Sequence, residues 1–327
     1  MMLYFCIAGA VFLLLIPSTL WLVGWITGKI SGFHLPYRHF GYTAIALVAI
    51  FWSVMAYGYH IGRWNLQTVK MEYSHRDIPD EFDGFRIVHI SDLHLGTFDG
   101  HHEKLERIVS TINSLSPDLI CFTGDLVTIG KEEAEPCSEI LRGMNARYGV
   151  CSVLGNHDFL IYGSDGSHDR EDEVNALVEF QRTEFGWNVL RNQSMTISSP
   201  KGRTMTIIGV DNINCSSQGF KTISRGCLKK AMGDTDGFRI LLSHDPSHWS
   251  SEVVPDTDIQ LTLSGHTHAA QVRLFGWTPA TLSFVETDGR YDRDGQTLYI
   301  NIGLGCTVPF RLGAAPEITL ITLHSED

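Results

Sequence analysis

Phe85-Arg-Ile-Val-His-Ile-Ser-Asp-Leu-His-Leu-Gly96 is a short apolar run that closes on two potential metal donors, Asp92 and His94. Two further segments repeat the arrangement. Leu119-Ile-Cys-Phe-Thr-Gly-Asp125 ends on Asp125, and Gly149-Val-Cys-Ser-Val-Leu-Gly-Asn-His-Asp158 ends on Asn156, His157 and Asp158. Short apolar runs bounded by glycine read as buried strands. Between the first two, Leu105, Ile108, Val109 and Ile112 recur at helical spacing over His102–Leu115, and Pro117 stops the pattern. A strand recurring about every 30 residues, with a helix between, is the βαβ unit of an α/β sheet. Such sheets hold ligands just past the carboxyl ends of their strands, where these polar residues stand.

The same reading extends outward. A Glu-rich stretch over about 132–145 is expected to be helical, and an amphipathic helix is expected over Asp172–Thr183 after a polar loop, Gly163–Arg170. The second half is richer in strands, at Met205–Val210, Arg239–Leu242, Ile259–Leu263, Thr297–Ile302 and Ile318–Leu323. Phe275–Gly295, rich in Gly, Pro and charge, is expected to form loops beside the site. Residues 65–84, broken at Ile78-Pro79, read as a linker and edge element before a domain over 85–327. The architecture expected is α/β, with two packed mixed sheets flanked by helices.

The N-terminal 64 residues differ in kind. No Asp or Glu occurs before Glu72, and only Lys29 and Arg38 carry full charge in residues 1–60. Two apolar runs, Met2–Ile26 and Gly41–Ile61, each exceed the ~20 residues needed to cross a bilayer. A cleaved signal peptide would have a basic start and a shorter core. A two-span anchor with aromatic residues at its edges (Trp21, Trp25, Tyr37, Tyr42, Tyr57, Tyr59, Trp64) fits better. Lys29 and Arg38 on one flank nearly balance Arg63, Lys70 and Arg76 on the other, so the positive-inside rule gives no orientation. Seven cysteines show neither a CxxC pattern nor a disulfide framework. This favours a reducing compartment and a cytoplasmic catalytic domain.

The chain has a net charge of −12; without Lys29 and Arg38 the remainder stands at −14. That argues against nucleic acid as a partner, which calls for a basic face. A phosphate substrate is still compatible, because bound cations supply local positive charge.

Two later motifs complete the polar set, Ser243-His244-Asp245 and Gly265-His266-Thr267-His268. Asp, Asn and His are oxygen and nitrogen donors that suit divalent metals of intermediate hardness. In this order, the motifs DxH, GD, GNHD, H and GHxH resemble the calcineurin-like metallophosphoesterase superfamily over about residues 85–325. The resemblance implies its four-layer sandwich fold and two divalent ions, Mn, Fe or Zn. It places Asp92, His94 and His268 on one ion, Asn156, His244 and His266 on the other, and Asp125 between them. Solvent between the ions would attack phosphorus in line. His157 is the implied catalytic residue beside the ligands, and Asp158 is expected to hold its other ring nitrogen or to cap a turn.

The wording SDLHLG, TGDLV, LGNHD, SGHTHAAQVRLFG and PFRLG resembles the bacterial membrane-associated branch, which includes a hydrolase of UDP-2,3-diacylglucosamine. A phosphorylated lipid or lipid-linked nucleotide, cleaved at a phosphodiester or pyrophosphate bond, is the substrate this implies. The usual Gly-Gly after GHTH is Ala269-Ala270 here. Arg311 is a candidate phosphate clamp, with a structural ion pair as its alternative. Lys221, Arg225 and Lys229 share a face if helical, facing solvent or anionic headgroups. His89 is expected in the core or behind the ligands, and His248 either near the site or apart from it. A tethered general phosphodiesterase and a non-catalytic scaffold are the competing functions. The complete ligand set favours an enzyme.

Overall fold

A computed structural model describes residues 2–31, 36–162, 170–219 and 221–326. The polar loop expected at Gly163–Arg170 lies outside these except for its last residue.

Two long helices lead the chain, α1 (Met2–Ser31) and α2 (Tyr37–His60). Both are long and apolar enough to cross a bilayer, and almost none of either is buried in protein. Pro17 is tolerated inside α1, as helix-breaking residues are in spans of this type.

The remainder is built on two six-stranded sheets. The first takes β1 (Gln67–His75), β2 (Arg86–Ile90), β3 (Leu119–Phe122), β4 (Val150–Ser152), β5 (Asn188–Val189) and the last strand, β12 (Glu317–Ser325). Its order is β1-β12-β2-β3-β4-β5, parallel except where β12 meets β2. The second takes β6 (Gln193–Ser198), β7 (Thr204–Gly209), β8 (Phe238–Leu242), β9 (Leu261–Ser264), β10 (Gly289–Arg293) and β11 (Gln296–Ile300). Its order is β10-β11-β9-β8-β7-β6, with a parallel centre and an antiparallel strand at each edge.

Alternation along the strands makes three layers of core. Ile87, Cys121, Cys151, Ile207, Ile240, Leu263 and Ile321 fill the space between the sheets. The opposite face of the first sheet packs Val88, Ile120, Phe122 and Leu320 on α3 (His102–Ser114), α4 (Ser138–Arg142) and α5 (Glu171–Phe180). The outer face of the second packs Ile208, Leu241 and Ile300 on α6 (Leu228–Met232) and Trp249. This is the expected four-layer sandwich, and its central strands are near-continuously apolar because both faces are covered.

The edge element expected within 65–84 is β1, an edge strand with Met71 and Tyr73 buried between the sheets. Other elements differ from expectation. The Glu-rich stretch is not one helix: Pro136 and Gly143 break it into short turns around the five-residue α4. Residues 221–227 are irregular, so Lys221, Arg225 and Lys229 share no helical face. Asn212 holds the Ile223 carbonyl at 2.6 Å and anchors that segment as a loop.

Candidate metal centre

The strand order brings all the expected donors to one end of the sandwich. Asp92 and His94 follow β2, Asp125 follows β3, and Asn156 follows β4. His244 follows β8, and His266 and His268 follow β9. The loops at these strand ends pack tightly. A Cβ on Gly155 would overlap the Asp125 carboxylate, and one on Gly265 would overlap Ser91 Oγ and the Asp92 carboxylate. Asp92, His94, Asp125, His266 and His268 all have φ between 41° and 74°, the left-handed region that non-glycine residues rarely occupy. Such conformations collect at functional sites, where the surrounding fold holds them.

The donor atoms converge. His268 Nε2 lies 3.2 Å from Asp92 Oδ1 and 3.2 Å from His94 Nε2. His94 Nε2 is 3.7 Å from Asp125 Oδ2, and His244 Nε2 is 3.2 Å from the same oxygen. Asn156 Oδ1 and His266 Nδ1 each lie 3.1 Å from His244 Nε2. Asp125 therefore sits between the two groups of ligands. His157 also comes close to His94 and Asp125.

Outer partners aim these atoms inward. His244 Nδ1 donates to the Thr123 carbonyl at 2.7 Å, which turns Nε2 toward the cluster. His266 is turned the other way. Its Nε2 is 2.8 Å from Gln218 Oε1, leaving Nδ1 inward. Gln218 is itself fixed by Asp245 at 2.6 Å, and Asp245 also accepts from Asn214 and Ser247. The Asn156 amide donates to Tyr162 Oη at 2.9 Å, which turns its oxygen toward His244. The imidazoles, carboxylates and amide oxygen thus turn their donor atoms to a common centre, as binding of a divalent cation requires.

Charge within the cluster is consistent with this. Burial opposes ionisation of Asp125, but His244, His157 and His94 beside it outweigh that and hold its carboxyl well below the usual range. Burial pushes His94 down to about 3, so its ring is neutral. Burial would also lower His244, yet the nearby Asp125 and Asp92 charges raise it to about 10. In the metal-free cluster His244 carries a proton that a cation must displace.

Two expected roles are corrected. Asp158 does not hold His157; His157 Nδ1 donates instead to the Thr128 carbonyl at 2.8 Å. The Asp158 carboxylate is buried and accepts N–H bonds from Asp125, Leu126, Val127 and Gly155, tying the loops after β3 and β4 together. Arg311 is neither a phosphate clamp nor an ion pair. It is fully buried, donates to the carbonyls of Ile302, Gly303, Gly305 and Ala314, and lies 3.2 Å from His268 Nδ1. His248 bonds Ser243 and Glu252 and takes no part in the cluster. His89 is a core residue bonded to Thr123 Oγ1.

A cavity of about 610 Å³ opens over the donors. Asp125, Asn156, His157, His266 and His268 reach into it, while Ala270, Pro279, Ala280, Phe284, Val308 and Phe310 give it apolar walls. Tyr162 stacks on His157 at its edge, with ring centroids 4.3 Å apart. Tyr162 and Gln218 carry no sequence signal, because both sit in irregular loops outside any motif.

The sequence profile of calcineurin-like phosphoesterases matches residues 85–270, more than half of the chain. The chain belongs to the calcineurin-like phosphoesterase family. It is a phosphoester hydrolase of that family, and its buried His and Asp clusters suit divalent metals. The uncharacterized metallophosphoesterase YkuE of Bacillus subtilis is 34% identical, over 76% of this chain and 82% of the relative. The transmembrane protein with metallophosphoesterase domain of Danio rerio is 32% identical, over 79% of this chain but 57% of that protein. The UDP-2,3-diacylglucosamine pyrophosphatase LpxG of Chlamydia trachomatis is 30% identical, over 75% of this chain and 86% of the relative.

Proposed function

We propose that this protein is a two-span membrane hydrolase that cleaves a phosphodiester or pyrophosphate bond in a lipid-linked substrate. The observation that carries the reading is the pairing of a polar, metal-suited floor with apolar walls in one cavity, beside two helices fit to span a bilayer. A free nucleotide would not need those walls. The similarity to a pyrophosphatase acting on a diacylated sugar nucleotide supports the same substrate class.

Asp92, His94 and His268 would hold one divalent ion and Asn156, His244 and His266 a second, with Asp125 shared. Such ions supply positive charge for phosphate oxygens and lower the pKa of attacking water. The remaining chemistry belongs to the side chains. His157 keeps its Nδ1 proton on the Thr128 carbonyl, so Nε2 faces the cavity and can hold a proton at the leaving oxygen. Tyr162 packs against that ring and orients it. The apolar walls exclude water and seat the acyl-bearing part of the substrate.

A turnover screen of the full chain with Mn²⁺, Fe²⁺ or Zn²⁺ tests this. It should include a lipid-linked UDP sugar, phospholipids, cyclic nucleotides and an aryl phosphodiester, with Asp125→Ala as the inactive control. Metal-dependent cleavage of a lipid-linked pyrophosphate or phosphodiester is expected. Activity confined to soluble nucleotides would replace the reading with a tethered phosphodiesterase.

A further inference from the structure

Among the described residues outside α1 and α2, the strongly exposed large apolar side chains are Ile61, Ile129, Leu274, Phe275, Trp277, Leu282, Val285 and Val308. Six of them fall in two segments, 274–285 and 308, that surround the mouth of the metal cavity. Residues 274–285 contain no charged side chain, in a domain that is otherwise strongly acidic. Phe275 is completely exposed at the tip of a tight turn closed by Leu274 and Trp277, with its backbone in the left-handed region. Leu282 and Val285 are more than four-fifths exposed. A contiguous apolar surface of this kind marks a contact with another apolar body.

The neighbouring chain indicates what that body is. The end of α2 is joined directly to this surface: Phe310 packs on Gly58, and the Arg311 amide donates to the Gly58 carbonyl at 3.2 Å. Gln271 in turn donates to the carbonyls of Val308 and Phe310, and the Arg273 amide donates to the Leu312 carbonyl at 2.8 Å. Tyr59, Arg63 and Trp64 stack together at the foot of α2, the grouping found where a span leaves the bilayer. The exposed turn is therefore braced against the point where α2 would emerge from lipid. Its inner side reaches the site, because the Phe284 ring packs edge-on against His266 with centroids 5.5 Å apart.

We infer that residues 274–285, with Val308, dip into the leaflet from which α2 emerges, so that the metal cavity opens onto lipid rather than bulk water. A lipid-linked substrate then enters sideways, its chains still in the leaflet and its phosphate on the cavity floor. The entry route rests on the hydrolytic reading above; the membrane contact does not.

The test uses the full chain in phosphatidylcholine–phosphatidylglycerol nanodiscs, with Cys6, Cys215 and Cys227 changed to serine. A bimane label is placed by Phe275→Cys, Leu282→Cys or Val285→Cys, all exposed positions where a small side chain leaves packing intact. Lys201→Cys and Asp294→Cys are controls, in exposed turns at the strand ends remote from the site. Doxyl-labelled lipid should quench the three rim labels several-fold more than the controls, and aqueous iodide should quench them less. Equal lipid quenching at rim and control positions overturns the inference. So does shielding of the rim from both quenchers, which would mean that protein covers it. Neither readout needs turnover, so a failed activity screen and a failed membrane contact are distinguishable.

Discussion

Replacing His157 with alanine should leave the metal content unchanged and slow turnover steeply. The ring is half-buried, its Nδ1 proton is committed to the Thr128 carbonyl at 2.8 Å, and its backbone N–H donates to Asp125 Oδ1 at 2.8 Å. The substitution removes the ring and keeps that backbone bond, so Asp125 stays in place. What should be lost is a proton donor or positive edge at the leaving oxygen. General acid–base help of this kind is worth about 10²–10⁴-fold in rate, roughly 3–5 kcal/mol of transition-state stabilisation. The assay pairs elemental analysis with turnover of two substrates whose leaving groups differ in pKa. If His157 protonates the leaving oxygen, an activated aryl group should recover much of the deficit. If it steadies phosphate charge, both substrates should slow alike. His157 lies close enough to His94 and Asp125 to be a ligand itself. Loss of a metal from the variant would show that it is one and refute the reasoning.

Other outcomes follow from the same geometry. Gln218→Leu removes the Gln218 oxygen from His266 Nε2, and loss of such an outer contact should weaken metal binding by about 10–100-fold; unchanged affinity in a metal titration would contradict this. Ala270 is exposed with φ 48°, ψ 25°, so Ala270→Gly should relieve about 1 kcal/mol of backbone strain and raise the melting midpoint by roughly 2–4 °C. A lowered midpoint would argue that the methyl group packs usefully. Because His244 is raised from its ordinary 6.5 to about 10 in the metal-free cluster, its proton stabilises that form fully below 6.5 and ceases to as pH passes 10. Metal uptake should therefore release a proton at neutral pH, and affinity should rise with pH, by up to about tenfold per unit for one proton. Calorimetry in buffers of different ionisation enthalpy would detect that release. A chain starting at Asn65 should fold and take up metal, whereas one starting at Phe85 should not. The latter lacks β1, its nine-residue pairing with β12, and the buried Met71 and Tyr73, each worth about 1.5–3 kcal/mol.

The site was legible because each motif follows an apolar strand, and strand ends in an α/β sheet converge on one place. Boundaries slipped by only a residue or two in the central strands, whose side chains are apolar on both faces. β1 and β10 were harder to read. Thr68, Lys70 and Glu72 leave only alternate positions of β1 apolar, and Arg290, Asp292 and Arg293 make β10 look like a loop. Lys221, Arg225 and Lys229 show the opposite failure, a helical spacing without an apolar face to bury. Gln218, Tyr162 and the true partners of Asp158 and Arg311 depend on loops meeting across long sequence separations. No local pattern encodes such meetings. The exposed rim was hidden for a different reason: its apolar residues sit in a stretch whose second half is charged, and only the fold separates the two halves.

The most direct measurement compares one headgroup with and without its acyl chains. With the full chain in nanodiscs and saturating metal, kcat/KM should be determined for a diacylated UDP sugar and its deacylated counterpart. The apolar-walled cavity predicts a preference for the acylated substrate of about tenfold or more, equivalent to about 1.4 kcal/mol. Equal turnover of the two, or faster cleavage of the deacylated compound, would contradict the account.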